Sequence, residues 1–310
     1  MPDMPSSAEA VQQAVRLAGP DATVRAARAL PGGTHARTFL IRMANPELEV
    51  ILREFPPGDE AARHETQVLA ALDGLGGLAP RLLASYTGTG TDVGTGPDGA
   101  APGTPWVLIS RLPGTADITP RQPSAWAGQL GTVLARIHAT SPGRLAGLES
   151  VFRGPGGSAA AISGPAAGLV AASWALLAAP PAVLTHHDYW SGNVVWSGGV
   201  LTGVVDWTGG AIGPPGFDVG WCRLDLYLLY GERIADEFLA SYQAGTPSVR
   251  LDPLLWDLWA IARSHQIVET WVPNYRDLGR GDLTAGELRR RHAAWTEIVR
   301  HRAAGVKGSA

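Results

Sequence analysis

Hydrophobic residues change rhythm along this chain. Before about residue 112 they fall mostly at alternate positions, and beyond it they recur every three or four residues. Arg37–Met43 and Leu48–Phe55 read as two strands around an Asn45-Pro46 turn, a hairpin that follows the glycine-rich turn Pro31-Gly32-Gly33-Thr34. Leu82–Tyr86 and Trp106–Ser110 read as further strands. Helical spacing marks Ala8–Leu17 and Glu60–Leu72, the latter through Ala61, Val68, Leu69 and Leu72. Beyond Leu112-Pro113-Gly114 the pattern predicts helices over Trp126–His138, Ala166–Leu177, Trp221–Tyr230, Ile234–Tyr242, Pro253–Trp271 and Thr284–Arg302. Short strands are predicted at Val194–Trp196 and Leu201–Val205. The expected class is α+β: a small strand-rich N-lobe over residues 1–112 and a larger, mainly helical C-lobe over 113–310. Gly, Thr, Pro and Asp dominate residues 87–105 and predict a flexible hairpin loop. Gly88-x-Gly90 within it lacks the strand–turn–helix context of a nucleotide loop.

Composition narrows function more than fold. Hydrophobic residues are 45% and charged residues 17%, enough to bury a core and to exclude disorder. A net charge of −3 offers no basic patch for nucleic acid. The uncharged run Gly154–Thr185 is broken by Pro165, Pro180 and Pro181, so it reads as a buried helix rather than a membrane span. Residues 1–20 lack the basic start and apolar run of a signal peptide, and the single cysteine, Cys222, suits a reducing compartment; a cytoplasmic protein is expected. Of 25 Lys and Arg residues only Lys307 is a lysine. There is no Gly-Lys-Ser/Thr step, which excludes a Walker A loop, and no internal lysine for a Schiff base. An anion held by a cation inside this fold must be held by arginine or a metal.

The densest chemistry lies in Thr185–Asn193, where Asp188 and Asn193 sit on a loop entering a short strand. Asp206 follows at the end of the apolar run Val204-Val205, where an acid is costly unless paired or metal-bound. Phosphoryl transfer needs a carboxylate for the acceptor hydroxyl and hard oxygen ligands for Mg²⁺ on the triphosphate. Asp188 suits the first task, and Asn193 and Asp206 the second.

His186-x-Asp188-x4-Asn193 followed by Val205-Asp206-Trp207 resembles the catalytic and metal-binding motifs of the aminoglycoside phosphotransferase and choline kinase-like family, small-molecule relatives of the protein kinases. Trp207-Thr208 departs from the protein-kinase D-F-G pattern. The resemblance implies a bilobal protein kinase-like fold, Asp188 as catalytic base, Asn193 and Asp206 as Mg²⁺ ligands, and ATP as donor with GTP left open. It also implies a small hydroxylated acceptor, with no nucleic acid or membrane partner. Arg53, after Val50-Ile51-Leu52, and Glu65, after Arg63-His64, resemble the family's pair of a basic strand residue and a helical Glu. Arginine stands where lysine is commoner, and its planar fork can still bridge phosphates. Gly32-Gly33-Thr34-His35 lies where the family's loop over the triphosphate would be, which implies phosphate contacts from Gly33 and Thr34; a plain hairpin turn is the alternative. Trp106–Gly114 resembles the segment joining the lobes, which implies that the main chain of Ser110 and Leu112 meets the purine. Gly213–Asp218 resembles the family's Gly-Asp-Pro-x-x-Asp stretch, with Pro214 for its first Asp. Asp218 is expected to cap a helix from Val219 and brace the catalytic loop, His186 to brace it too, and His187 to face the loop.

The region after about residue 245 is expected to bind the acceptor. It carries Asp252, Asp257, Glu269 and Asp277 together with Trp256, Trp259, Trp271 and Tyr275. A polycation wants a carboxylate-rich pocket, while Trp256 and Trp259, at helical spacing, are expected in the core. The expected acceptor is an aminoglycoside-type antibiotic or related amino-sugar or amino-alcohol, with an apolar natural product left open. Two other readings stand beside this. One is a non-catalytic nucleotide or metabolite binder, supported by Arg53 alone. The other is a His-dependent acyltransferase, because His186-His187-x3-Ser191-Gly192 is similar to a His-His-x3-Asp-Gly motif with Ser191 in place of the required Asp.

Overall fold

The computed structural model describes residues 4–30, 36–88, 103–145, 147–150, 162–177, 182–249 and 251–307. The expected phosphate turn with Gly33 and Thr34, and most of the 87–105 loop, lie outside the described residues. Two compact units are present: Met1–Pro113 with Gly203–Gly209, and Gly114–Thr202 with Gly210–Ala310.

The first unit is built on an antiparallel sheet of five strands: β1 (Thr23–Ala29), β2 (Arg37–Ala44), β3 (Leu48–Glu54), β4 (Leu82–Tyr86) and β5 (Trp106–Ser110), in the order β1-β2-β3-β5-β4. Strand side chains alternate between faces. One face stacks Phe39 opposite Leu52 and Ile41 opposite Val50, with Leu52 opposite Leu108 on the next strand. Helix α1 (Ala8–Ala18) lays Ala10 and Ala14 into the same cluster. Its start is tied to the sheet by the buried Glu54, which accepts from Ser6 Oγ and Ser7 N, each at 2.8 Å. The pleat turns Arg53, one residue after Leu52, to the opposite face, where helix α2 (Ala61–Leu72) buries Ala62, Glu65, Val68, Leu69 and Leu72. Thr23–Ala29 carries no alternating apolar signal and is mostly exposed; its strand character comes from pairing with β2.

The second unit is mainly helical, with α3 (Pro123–His138), α4 (Ala167–Ala172), α5 (Trp174–Leu177), α6 (Gly216–Tyr230), α7 (Glu232–Gly245), α8 (Pro253–Ser264), α9 (Val272–Asp277) and α10 (Ala285–Lys307). Strand β6 (Val183–Thr185) pairs antiparallel with β9 (Ala211–Gly213), and β7 (Val194–Ser197) pairs with β8 (Val200–Val204). Glycines permit close helix approach. A Cβ at Gly131 of α3 would lie 2.4 Å from the Phe238 carbonyl oxygen of α7, and one at Gly220 of α6 would lie 2.5 Å from that of Trp256. The expected helix Pro253–Trp271 is interrupted. The α-helix ends at Ser264, whose hydroxyl donates back to Ala260 O at 2.7 Å, and Val268–Trp271 is a separate 3-10 turn. Ala166–Leu177 likewise divides at Ser173. Among the described residues no helix is long and apolar enough to cross a membrane.

Candidate active site

In the second unit, the loop from His186 to Trp190 joins β6 to a 3-10 turn at Ser191–Asn193 and then β7. One carboxylate fixes its start. Asp218 Oδ2 accepts the His186 N–H at 2.7 Å, and Oδ1 accepts the His187 N–H at 2.8 Å. His138 Nε2 lies 3.2 Å from Asp218 Oδ2, and its Nδ1 lies 2.9 Å from the Tyr242 hydroxyl. Burial opposes the Asp218 charge, but the hydrogen bond to His138 and the neighbouring histidines hold its pKa below the ordinary carboxylate value. Asp218 does not cap a helix: α6 begins earlier, at Gly216, so Asp218 sits in its first turn and points at the loop. His187 adopts a left-handed φ of 66°, and its ring stacks on Phe217 with centroids 3.9 Å apart. The His186 ring accepts the Asp188 N–H at 3.3 Å through Nδ1, a bracing contact.

Asp188 is held from both sides. Asn193 Nδ2 donates to Asp188 Oδ2 and to the Asp188 main-chain oxygen, each at 2.9 Å, and Trp221 Nε1 donates to Asp188 Oδ1 at 3.1 Å. The other end of the turn is anchored by Asp225. Its Oδ2 accepts from Ser191 N at 3.0 Å and from the Ser191 hydroxyl, while Oδ1 accepts from Tyr275 OH at 2.9 Å. Burial pushes the Asp225 carboxyl up to about 6, against the opposing pull of the Ser191 and Tyr275 hydrogen bonds. The Trp190 ring packs over Gly192, where a Cβ would lie 2.2 Å from it and push the indole aside. Beside Asp188 opens a small pocket of about 60 Å³, walled by Trp190, Trp221, Trp271 and Tyr275 and completed by Asn274 and Asp225.

The first unit brings together a second group. Arg53 donates through Nη1 to Glu65 Oε1 at 2.5 Å and through Nη2 to Asp206 Oδ1 at 2.9 Å. Arg53 is 5% and Glu65 1% exposed, so the pair lies out of water. Burial pushes the Glu65 carboxyl up to about 7; Arg53 pulls it down and the Asp206 charge adds to the rise. Asp206 sits at a left-handed φ of 62°, and Thr208 Oγ1 donates to its Oδ1 at 2.7 Å. The segment carrying Asp206 is joined to the rest of this unit by Val204 N–H, which donates to Leu78 O at 2.7 Å, and is braced within itself by the Trp207 indole, which donates to Val204 O at 3.0 Å. Ser110 ends β5, opposite Val50, and gives its N–H to Arg81 O at 2.9 Å. Leu112 packs its side chain against Gly203.

A model of the phosphotransferase enzyme family matches residues 26–252. The chain belongs to the phosphotransferase enzyme family. It is a small-molecule kinase on a kinase-like fold. The fold is shared with macrolide 2'-phosphotransferase MphH from Brachybacterium faecium, at 18% identity and a TM-score of 0.56 over 93% of this chain and 98% of that one. Aminoglycoside-3'-phosphotransferase of type VIII shares it at 16% identity and a TM-score of 0.56, over 80% and 95% of the two chains. A thermostable mutant of aminoglycoside phosphotransferase APH(4)-Ia, in ternary complex with ADP and hygromycin B, matches at 15% identity and a TM-score of 0.57, over 90% and 94%. No curated protein matches the chain by sequence.

Two side chains in this phosphotransferase have the donor chemistry that suits a hard divalent cation. Asn193, its amide nitrogen engaged by Asp188, has a carbonyl oxygen, and Asp206, in the other unit, has a carboxylate. Among the described residues no three His, Cys, Asp or Glu side chains converge as a metal cage. Magnesium on a nucleotide does not need one, because phosphates and waters supply most of its octahedron. Sequence reasoning passed over His138, Trp221, Asp225 and Asn274. A signal existed for two of them. Asp218, Trp221 and Asp225 fall at i, i+3 and i+7 on one helix face, and Asp225 is an acid inside the apolar run Leu224–Leu229.

Proposed function

We propose that this kinase transfers the γ-phosphoryl group of ATP, with magnesium, to a hydroxyl of a small molecule. The observation that carries the reading is Asp188: a carboxylate at a pocket wall, oriented by donors on both of its oxygens. In this reading Asp188 accepts the proton of the acceptor hydroxyl as that oxygen forms its bond to phosphorus and the bond to the ADP leaving oxygen breaks. Most of the acceleration is positioning and charge neutralisation. Arg53, fixed by Glu65 through Nη1, would meet the α- and β-phosphates from its Nη2 side, in exchange for its bond to Asp206. Ser110 and Leu112 would present main-chain groups to the purine. Gly33 and Thr34 would approach the phosphates. Asn193 and Asp206 would hold magnesium, whose charge would neutralise that of the triphosphate. Two features support Arg53 in this role: its Nε and Glu65 Oε2 are buried polar atoms without a hydrogen-bond partner, and the one lysine of the chain is Lys307.

The test is a pair of measurements on Asp188→Asn. Turnover should fall by at least about a thousandfold, while the rise in Tm caused by ATP with Mg²⁺ should persist. Unchanged turnover would remove Asp188 from the role of base. A wild-type protein whose Tm ignores ATP with Mg²⁺ would overturn the kinase reading as a whole.

A further inference from the structure

The four carboxylates that made a polycationic acceptor attractive are all engaged elsewhere. Asp252 caps α8, accepting the N–H groups of Leu254 and Leu255 at 3.0 and 3.3 Å. Asp257 is buried on Arg223, with bonds of 2.8 and 3.0 Å. Glu269 is paired in a fork with Arg289, and Asp277 lies 3.0 Å from Arg276. None of the four lines the pocket beside Asp188.

The carboxylates that do line it leave little for an amine. Asp225 is 4% exposed and already accepts from Ser191 and Tyr275. Asp188 already takes hydrogen bonds from Asn193 and Trp221, and it is the group reserved for the hydroxyl. Asn274 is neutral. The rest of the wall is aromatic. Trp190 meets Tyr275 edge to face at 5.8 Å, and Trp221 meets Trp271 at 5.3 Å. The indoles of Trp190, Trp221 and Trp271 are each only half-buried. Trp256 and Trp259, by contrast, are core residues, 5% and 1% exposed. Three large apolar rings kept partly wet around one reactive carboxylate gain free energy when an apolar surface covers them. A cation with several charges would instead surrender its hydration to a wall with few acceptors. A single ammonium is compatible with such a wall, because indole faces attract one cation.

We propose that the acceptor is an alcohol with an apolar face and at most one cationic amine, seated on Trp190, Trp221 and Trp271, and not a polyamine sugar. This rests on the phosphotransferase reading above and narrows it.

The experiment uses the full chain with ATP and Mg²⁺ and two arms of probes. The polycationic arm is kanamycin A and hygromycin B. The other arm is erythromycin, a mono-amino macrolide, and phenyl glucoside, a neutral aryl glycoside. Expected is phosphate transfer to the second arm with kcat/KM at least about tenfold above the first. In Trp271→Ala the KM for that acceptor should rise about tenfold with the KM for ATP unmoved, and Trp271→Phe should restore most of it. Asn274→Asp places a new carboxylate in the wall and should raise binding of kanamycin A, read by tryptophan fluorescence. Transfer confined to the polycationic arm, transfer to neither arm, or an unchanged acceptor KM in Trp271→Ala overturns the assignment. Absence of an ATP-dependent Tm shift in the wild type overturns the kinase reading beneath it, so the two failures are told apart.

Discussion

Arg53 meets two carboxylates through one planar group. A lysine has a single nitrogen at its tip, whereas the guanidinium places one terminal nitrogen on Glu65 and the other on Asp206. Removing the cation leaves the wholly buried Glu65 facing the Asp206 charge. Arg53→Ala should therefore lose about 3–5 kcal/mol of stability, measured by urea unfolding without ligand. It should also raise the KM for ATP or lower kcat at least about tenfold. Arg53→Lys should retain part of both, because one ammonium can serve only part of the fork. Wild-type stability in Arg53→Ala would mean that the pair contributes nothing net to the fold.

At the scale of elements, α6 is the organiser of the loop that carries Asp188. One face of the helix carries Asp218, Trp221 and Asp225, which reach the loop's start, the Asp188 carboxylate and the following turn in that order. Asp225 also gives this arrangement a pH dependence. Its carboxyl is raised from the ordinary 3.8 to about 6 in the fold. A group raised on folding contributes stability that is complete below its unfolded value and is lost as pH rises through the folded one. Asp225→Asn removes that titration. The Tm of the variant should gain on the wild type as pH climbs from about 4 through about 6, and parallel curves would refute the assignment. Close packing is a second property at this scale. Gly131→Ala drives a methyl into the Phe238 carbonyl and should cost about 1–3 kcal/mol in urea unfolding. Strands β6 and β9 show why some elements were illegible in the sequence. Each spans three residues, too short for an alternating pattern, and each is defined by the other through the Leu184 and Ile212 register. The four strands β2–β5 and the long helices were legible, because burial of one face imposes a period. Asp206 was legible because an acid at the end of an apolar run needs a reason, and Asp188 and Asn193 because their spacing from His186 resembles a family motif. Trp221 escaped notice, because a tryptophan in an apolar helix looks like core until its indole nitrogen is seen on Asp188.

Across the whole molecule, the seven residues Gly203–Gly209 are grouped with Met1–Pro113 although they lie far along the chain. Linear order alone does not reveal that assignment; the Val204 bond to Leu78 and the Arg53 bond to Asp206 do. The molecule also runs on arginine throughout, from Arg53 to Arg223 and Arg289. Exhaustive acetylation of amines should accordingly leave turnover intact, since Lys307 carries the one side-chain amine; loss of activity, spared in Lys307→Arg, would place Lys307 in the chemistry. The cation fixed on Glu65 has a further consequence for how such an enzyme is found. Nucleotide reagents that acylate or sulfonylate the phosphate-binding amine of a kinase require a neutral nitrogen nucleophile. The buried Arg53 is held in its charged form, its pKa lowered by burial but raised more by Glu65 and Asp206. A proteome-wide survey of kinases by lysine-directed chemistry would pass over this one, whatever its abundance or activity in the cell.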